Sequence, residues 1–212
     1  EADAALRDAG ATAFDLVLAL GSAATREAAR ATRLPIVSGL ALRASDLRAA
    51  PNMTGVYLEF PVETELSWMR KFLPRMRRVG VLFSMAENAE RMSEAGRVAS
   101  SMSLELKPVR IDNPSQIPES LASLSNEADA LWGVADDVVL TPETAQAFLL
   151  FSMRNRIPFV GLSIPWVKAG ALYALDRDYA DIGRQCGEMA TRILLGEAPG
   201  AVAPTSPRTV IY

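Results

Sequence analysis

A glycine and a serine at the end of the first apolar run form a candidate anion-binding turn. The run Asp15–Leu20 leads into Gly21, Ser22 and Ala23, where a helical pattern begins. The first N–H groups of a helix have no acceptor within it and carry the positive end of its dipole, which suits a carboxylate. The hydroxyls of Ser22 and Thr25 would add donors. Ser22 is equally well explained as a plain helix cap, and the two roles can coincide.

Two further turns carry small or polar residues beside apolar runs. Thr54 and Gly55 precede a crossing of the chain, and a glycine there permits a ligand to approach the backbone closely. A hinge turn without ligand contact is an equal alternative. Ser84 and Asn88 follow a later run and would line the same kind of site. Ser84 and Glu87 also have the spacing of a capping box, which favours a structural role for Glu87.

Acidic and hydroxyl side chains follow the last runs. Asp136 and Asp137 come directly after one of them, and a carboxylate there would pair with a ligand ammonium. Adjacent Asp residues are also common in solvent-facing turns. Ser163, Tyr173 and Asp176 would line the same site, although Tyr173 is equally well explained as an ordinary core residue.

The composition excludes several kinds of chemistry. The chain has 212 residues and no histidine, which removes Ser-His-Asp and Cys-His catalysis and zinc sites containing histidine. Its single cysteine, Cys186, reads as a small buried residue. The 22 basic and 25 acidic residues are interspersed, so we expect no nucleic-acid partner. The sequence contains neither the dinucleotide-binding motif Gly-x-Gly-x-x-Gly nor the P-loop motif Gly-x-x-x-x-Gly-Lys-Ser/Thr. A Rossmann-like enzyme is therefore the least favoured class, and we expect no cofactor or metal.

The candidate turns are positioned by an alternation of apolar runs and amphipathic segments. The runs are Asp15–Leu20, Leu34–Ser38, Thr54–Leu58, Arg78–Phe83, Leu106–Ile111, Ala130–Val134, Ile157–Gly161 and Ala171–Ala174. Several are continuously apolar, which predicts strands of a parallel sheet covered by helices on both faces, an α/β fold. Asn113–Gln116 has a capping-box pattern, and Asp178 opens a last helix that stops at Gly196. Ligands of such sheets bind beyond the carboxyl ends of the strands.

A series of short motifs follows a fixed order along nearly the whole chain. They are Asp15-Leu-Val-Leu-Ala-Leu-Gly-Ser22, Asn52-Met-Thr-Gly-Val56, Arg78-Val-Gly-Val-Leu-Phe83 with Glu87-Asn88, Ile157-Pro158, Gly170-Ala171-Leu172, Asp178-Tyr179, Ile182-Gly183-Arg184-Gln185, and Ile193-Leu194-Leu195-Gly196 with Pro199. Together they resemble the tryptophan/tyrosine-type substrate-binding proteins of ABC transporters, which have the type I periplasmic-binding-protein fold.

The resemblance implies a two-lobed, hinged α/β clamp that binds a small solute in an interlobe cleft without chemical change. The first lobe would comprise residues 1–60 and 175–198, and the second 61–174 and 199–212. The solute would be an amino acid, with aromatic amino acids included, or a related small organic acid, and it would be delivered to an ABC permease. The family's register favours Asp136 over Asp137 as a ligand contact. A ligand-sensing input domain of a signalling protein is the main alternative.

Three departures from the family pattern bear on these expectations. The family's first strand–helix–strand unit is absent from this sequence, so we expect a first lobe that is naturally short, is shortened in the sequence given, or is completed or covered by another chain such as a second copy. Arg43-Ala-Ser-Asp46 replaces an Asp-Pro, and Glu87-Asn88-Ala89 replaces Glu-Asn-Ser, both in loops that would face the cleft. We expect a periplasmic protein or a lipoprotein facing the periplasm, whose signal segment is not in this chain.

Overall fold

The computed structural model describes residues 14–48, 50–208 and 210–211, which form two compact units. Unit 1 holds the described residues up to 60 and those from 177 to 211, and unit 2 holds 61–176. Among these residues, no helix has the length and apolar character needed to cross a membrane.

The strands and helices alternate along the chain. The strands are β1 (Val17–Leu20), β2 (Ile36–Ala41), β3 (Met53–Tyr57), β4 (Arg78–Phe83), β5 (Glu105–Arg110), β6 (Ala130–Trp132), β7 (Phe159–Gly161), β8 (Tyr173–Ala174), β9 (Asp176–Arg177) and β10 (Val210–Ile211). The helices are α1 (Ser22–Ala31), α2 (Val62–Phe72), α3 (Met85–Ser101), α4 (Ile117–Ser123), α5 (Ala145–Asn155), α6 (Ile164–Ala169) and α7 (Tyr179–Leu194).

Unit 1 is a three-stranded parallel sheet, ordered β1-β2-β3, with a helix on each face. Residues of α7 pack on one face around Val37 and Val56. Ala28 of α1 belongs to the cluster on the other face, around Ile36 and Met53. Strands buried on both faces need continuously apolar sequences, which is why β2 is buried at five of its six positions.

The outer strand of unit 1 leaves apolar side chains uncovered. β1 forms one edge of the sheet, and its Leu18 and Leu20 are 56% and 61% exposed. They line a cavity of about 340 Å³ that also touches Tyr179 and Gly183 of α7. The described sheet of unit 1 therefore has an apolar edge at β1. The second copy predicted to cover it stays a prediction.

Unit 2 is a five-stranded parallel sheet in the order β5-β4-β6-β7-β8. Leu82 and Leu131 of the sheet share one apolar cluster with residues of α4 and α5. Trp132 follows Leu131 on β6 and therefore points to the opposite face, where its indole N–H donates to Glu65 of α2 (3.1 Å). Because all five strands are parallel, their carboxyl ends lie at one edge of the sheet, and the loops that follow them are neighbours.

Each of the eight predicted runs contains or overlaps one of the strands β1 to β8, and the predicted α/β architecture is confirmed. Two predicted helix starts are confirmed as well. Asn113 and Gln116 form a complete capping box, and the Asp178 carboxylate accepts N–H bonds from Ala180 and Asp181 at the start of α7.

The predicted place of the tail, in the second lobe, is wrong. Residues 199–211 belong to unit 1. The physical reason is a set of contacts with β3: the Thr54 hydroxyl donates to the Val202 carbonyl (2.6 Å), and Thr205 N donates to the Gly55 carbonyl (3.0 Å). Val202 also joins the core cluster beneath α7.

The Thr54 hydroxyl is expected to contribute measurably to this docking of the tail. Thr54→Val keeps the shape of the side chain but leaves the buried Val202 carbonyl without its donor, so unfolding should become easier by about 2 kcal/mol. Thr54→Ser keeps the hydroxyl and should cost less. Urea unfolding of the two variants measures the difference, and equal losses would contradict a role for the hydrogen bond.

Candidate functional site

The start of α1 offers unpaired backbone donors at the carboxyl edge of the unit 1 sheet. Gly21 has a positive φ of 87° and precedes the first helical residue, and its own N–H donates to Gly39 O (2.8 Å). The N–H groups of Ser22, Ala23 and Ala24 have no acceptor in the described part of the chain. Ala23 is exposed. Together these amides make the predicted carboxylate subsite accessible.

The Ser22 hydroxyl joins this helix start to the loop after β2. It donates to Asp46 Oδ2 (2.6 Å) and accepts from Leu42 N (2.8 Å), and it does not cap the helix. Arg43 N also donates to Asp46 Oδ2 (3.2 Å), and Arg26 lies 3.5 Å from Oδ1. A carboxylate and a set of free N–H groups therefore occur side by side in one unit.

Asp46 is a residue of the site that the sequence prediction missed. The motif Arg43-Ala-Ser-Asp46 stood out only as a departure from the family pattern. An Asp three residues after an Arg in a strand-end turn is a weak signal. It becomes informative only once the Ser22 hydroxyl is known to lie against it.

Three residues of unit 1 that are predicted as ligand contacts, Thr25, Thr54 and Gly55, serve the interior of the unit, and their contact with a ligand stays a prediction. Thr25 and Thr54 are fully buried, and both hydroxyls bond within the unit. Thr25 Oγ1 donates to Gly21 O (2.7 Å) and lies 2.6 Å from the Ser38 hydroxyl. A Cβ on Gly55 would overlap the Ser38 carbonyl oxygen, so this position requires glycine because β3 approaches β2 closely.

In unit 2, the carboxylate of Asp136, in the loop after β6, accepts four hydrogen bonds. The residue is 4% exposed. Its Oδ2 accepts from Ser84 N (2.7 Å) and from the Asn88 amide (2.8 Å). Its Oδ1 accepts from the N–H groups of Val138 and Val139 (3.0 and 3.1 Å). A carboxylate has about four acceptor positions, so these bonds fill it.

The electrostatics of Asp136 fit this structural role. Burial alone would raise its pKa, but the hydrogen bonds from the Ser84 N–H and the Asn88 amide outweigh burial, and the pKa lies below its ordinary value. The carboxylate is therefore ionised and fully used within unit 2. The contact of Asp136 with a ligand ammonium stays a prediction, and in this geometry the acceptor positions of the carboxylate are occupied from within unit 2.

The start of α3 differs from its prediction. Ser84 precedes the helix, but its side chain makes no cap bond, and the expected capping box with Glu87 is wrong. The reason is that Asp136 fixes the Ser84 backbone, while the Glu87 carboxylate accepts from Asp137 N (3.3 Å to each oxygen). The Ser84 hydroxyl is buried and has no geometrically defined partner among the described residues. Asn88, fully buried, also donates to the Ala135 carbonyl (3.0 Å).

The last three candidates divide between the edge and the core of unit 2. Asp176 accepts from Ile164 N (2.9 Å), beside Ser163 at the start of α6, so the structure brings these two predicted residues together. Ser163 is half-buried, and its hydroxyl has no partner in the described ranges. Tyr173 instead packs its ring 4.5 Å from that of Phe72. Burial and the charge of Glu65 raise the pKa of Tyr173. The residue lies in the core, and its ligand contact stays a prediction.

In unit 1, the backbone amides at the start of α1 are open donors beside the Asp46 carboxylate, which is an acceptor. In unit 2, the half-buried Ser163 hydroxyl has no partner among the described residues. The described residues contain no group of three acidic, cysteine or histidine side chains placed to hold a metal ion. Amides, a hydroxyl and a carboxylate can hold a polar small molecule.

The chain matches a family model described as "ABC transporter substrate binding protein" over residues 4–210. A curated relative, named as a tyrosine-binding protein of Clostridioides difficile strain R20291, is 22% identical over 202 residues. That alignment covers 91% of this chain and 58% of the relative, so the chain spans less than two thirds of the relative's length.

Two solved structures share the fold. A ligand-free, open substrate-binding protein with adhesive properties from Clostridium difficile has a TM-score of 0.82 and 21% identity, covering 99% of this chain and 74% of that one. An ABC domain from Streptococcus pneumonia in complex with L-Trp has a TM-score of 0.71 and 20% identity, covering 99% and 75%. With the family model matching nearly its full length, this chain belongs to the ABC transporter substrate-binding protein family.

Proposed function

We propose that this chain binds an amino acid with an aromatic side chain and passes it unchanged to an ABC permease. The observation that carries the proposal is the pairing of open N–H groups at the start of α1 with the Asp46 carboxylate, in a member of a solute-binding family. An α-amino acid carries one negative and one positive group on adjacent atoms. The carboxyl edge of unit 1 supplies a donor set and a carboxylate of matching sign.

The ligand carboxylate is assigned to the amides of Ser22, Ala23 and Ala24. These N–H groups point out of the helix start, where the dipole favours an anion. The ligand ammonium is assigned to Asp46, whose Oδ1 lies 3.5 Å from the exposed Arg26, its charged partner among the described residues. A charge-assisted hydrogen bond to a ligand ammonium replaces that loose pair at little cost.

Within unit 2, the Ser163 hydroxyl is proposed as a solute contact. Its hydroxyl is partly accessible at the carboxyl edge of the sheet, in the loop after β7. Asp176 holds this loop through its bond to Ile164 N, so the hydroxyl sits on a fixed backbone. The aromatic character of the solute is supported by the relatives, one named for tyrosine and one solved with L-Trp.

The proposal is tested by titrating the chain calorimetrically with L-tyrosine, L-tryptophan, tyramine and 4-hydroxyphenylpropionate. Tyramine lacks the carboxylate and 4-hydroxyphenylpropionate lacks the ammonium. We expect each to bind at least about tenfold more weakly than L-tyrosine, because each leaves one charged subsite unpaired. Equal affinity of tyrosine and tyramine would contradict the assignment to α1.

A charge placed at Ala23 tests the carboxylate subsite directly. Ala23→Glu puts an anion beside the free amides, and we expect it to weaken L-tyrosine binding by about tenfold while leaving tyramine unaffected. Ala23→Gln, of the same size and neutral, is the matched control and should bind nearly as wild type. A first-turn acidic residue stabilises a helix, so misfolding does not imitate the result. An equal loss in both variants would indicate steric blockage and sink the electrostatic assignment.

The role is proposed to be non-catalytic and exported. A solute incubated with the pure chain should be recovered unchanged by mass spectrometry, and turnover of the bound amino acid would contradict the proposal. The family resemblance supports a periplasmic protein or lipoprotein delivering its solute to a permease.

A further inference from the structure

Basic side chains crowd the amino edge of the unit 2 sheet. The segment that ends α2 and leads into β4 reads Arg70-Lys71-Phe72-Leu73-Pro74-Arg75-Met76-Arg77-Arg78. It lies at the amino edge because Glu105 N donates to Arg77 O (2.7 Å) and Asp129 N to Arg78 O (2.9 Å), where β5 and β6 begin. Five positive charges within nine residues contrast with the net charge of −3 for the whole chain.

Most of this charge has no carboxylate partner. Asp129 pairs with the Arg78 guanidinium (2.8 Å). Arg70 donates to the Met102 carbonyl (2.9 Å), and the Lys71 ammonium lies 4.3 Å from the centre of the Trp68 ring. The side chains of Arg75 and Arg77 are exposed and form no ion pair within the described ranges. Arg70, Lys71, Arg75 and Arg77 are called the basic patch below.

An exposed aromatic ring lies within the basic patch. Phe72 is 42% exposed, yet its ring stacks 5.8 Å from that of Trp68 and lies 4.5 Å from that of Tyr173. The ring is therefore held at the surface by packing from below. Pro74 beside it is exposed, so an apolar tip is surrounded by cations.

We infer that the basic patch, with Phe72, docks on the anionic headgroup surface of a lipid bilayer. Cations beside an exposed aromatic ring are the composition of segments that lie in the headgroup region, where positive charge is attracted and the ring enters the acyl boundary. The charge of the patch is complementary to anionic lipid.

A bilayer fits the patch better than an acidic peptide does. The guanidinium groups of Arg75 and Arg77 are not fixed in a fork that matches particular carboxylates, so the charge is diffuse. The neighbouring edge strand β5 carries Pro108, which lacks an N–H and interrupts pairing with an added strand. The patch lies at the edge of the sheet opposite Asp136 and Ser163, so the inference does not depend on solute binding.

Vesicle sedimentation tests the inference. The chain is mixed at low salt with vesicles of phosphatidylglycerol and phosphatidylcholine, or of phosphatidylcholine alone. We expect binding only to the anionic vesicles, with loss in high salt. Each cation near an anionic surface contributes roughly fivefold to partitioning, so Arg75→Gln/Arg77→Gln should weaken binding by about 25-fold. Phe72→Ser should weaken it as well.

The matched control removes two cations elsewhere. Arg30 and Arg33 are exposed in unit 1, and neither has an ion pair in the described part of the chain. Arg30→Gln/Arg33→Gln makes the same change in net charge and should bind vesicles as wild type does. Equal losses in the two double variants, or no preference of the wild type for anionic vesicles, would overturn the inference. Tighter binding to a soluble poly-glutamate peptide would assign the patch to an acidic protein instead. Unaltered L-tyrosine titrations and melting curves separate these results from the proposed function.

Discussion

Replacing Asp136 with Ala is expected to lower the free energy of unfolding by about 4 kcal/mol. The change leaves the N–H groups of Ser84 and Val139 and the Asn88 amide without their acceptor, in a region where water does not replace it. Because the same carboxylate joins the start of α3 to the loop after β6, both should loosen together. Chemical denaturation measures the loss, and hydrogen exchange at Ser84 and Val139 shows where it occurs.

The neighbouring residue supplies the control. Asp137 is exposed, and only its backbone N–H takes part in the contacts described above, so Asp137→Ala should change stability by less than about 0.5 kcal/mol. Similar effects of the two substitutions would show that the hydrogen-bonded arrangement at Asp136 is not what stabilises this loop.

The stabilisation by Asp136 should also depend on pH. Its pKa is lowered in the folded state, so the ionised carboxylate stabilises the fold above the unfolded value of about 3.9, and the contribution is lost as pH falls through the folded-state pKa. Asp136→Asn removes this titration. The gap in unfolding free energy between wild type and Asp136→Asn should therefore be constant from about pH 5 upward and shrink below about pH 4. A gap that does not change in acid would contradict the lowered pKa.

Local signals in the sequence predicted local structure well. The caps at Asn113 and Asp178 form between residues two or three positions apart, so spacing alone specifies them. The strands were equally predictable from the sequence, because a strand that is buried on both faces must be continuously apolar. The proposed carboxylate subsite at the start of α1 rests on the same reasoning, since free amides belong to the backbone of any helix start.

The sequence does not predict which residues that are far apart in the chain become hydrogen-bond partners in the fold. Ser84 and Glu87 have the spacing of a capping box, yet Ser84 N bonds to Asp136, 52 residues away, and the local motif does not form. The position of Asp136 after an apolar run predicts a ligand contact, whereas in the fold its acceptor positions are filled from within unit 2. The sequence does not predict a role for Asp46, because that role depends on the contact of its carboxylate with the Ser22 hydroxyl.

The role of Gly55 also depends on a partner that is distant in the sequence, the Ser38 backbone of β2. Gly55→Ala is expected to destabilise unit 1 by about 3 kcal/mol or more. The added Cβ would overlap the Ser38 carbonyl oxygen and lie 2.8 Å from Ser38 N and C, and backbone atoms of a neighbouring strand cannot rotate away. Moving β2 would also disturb the bond between the hydroxyls of Ser38 and Thr25, which fixes the start of α1.

The contrasting substitution is Gly96→Ala in the interior of α3, where no atom lies within 4 Å of the added Cβ. That change should stabilise the chain by roughly 0.5–1 kcal/mol, because glycine has more backbone freedom to lose on folding. Thermal unfolding of both variants should therefore move in opposite directions from wild type. If Gly55→Ala folds with undiminished stability but loses L-tyrosine, the glycine serves the ligand after all, and the explanation by strand approach fails. If stability and binding fall together, β2 and α1 act as one support for the amides that receive the carboxylate.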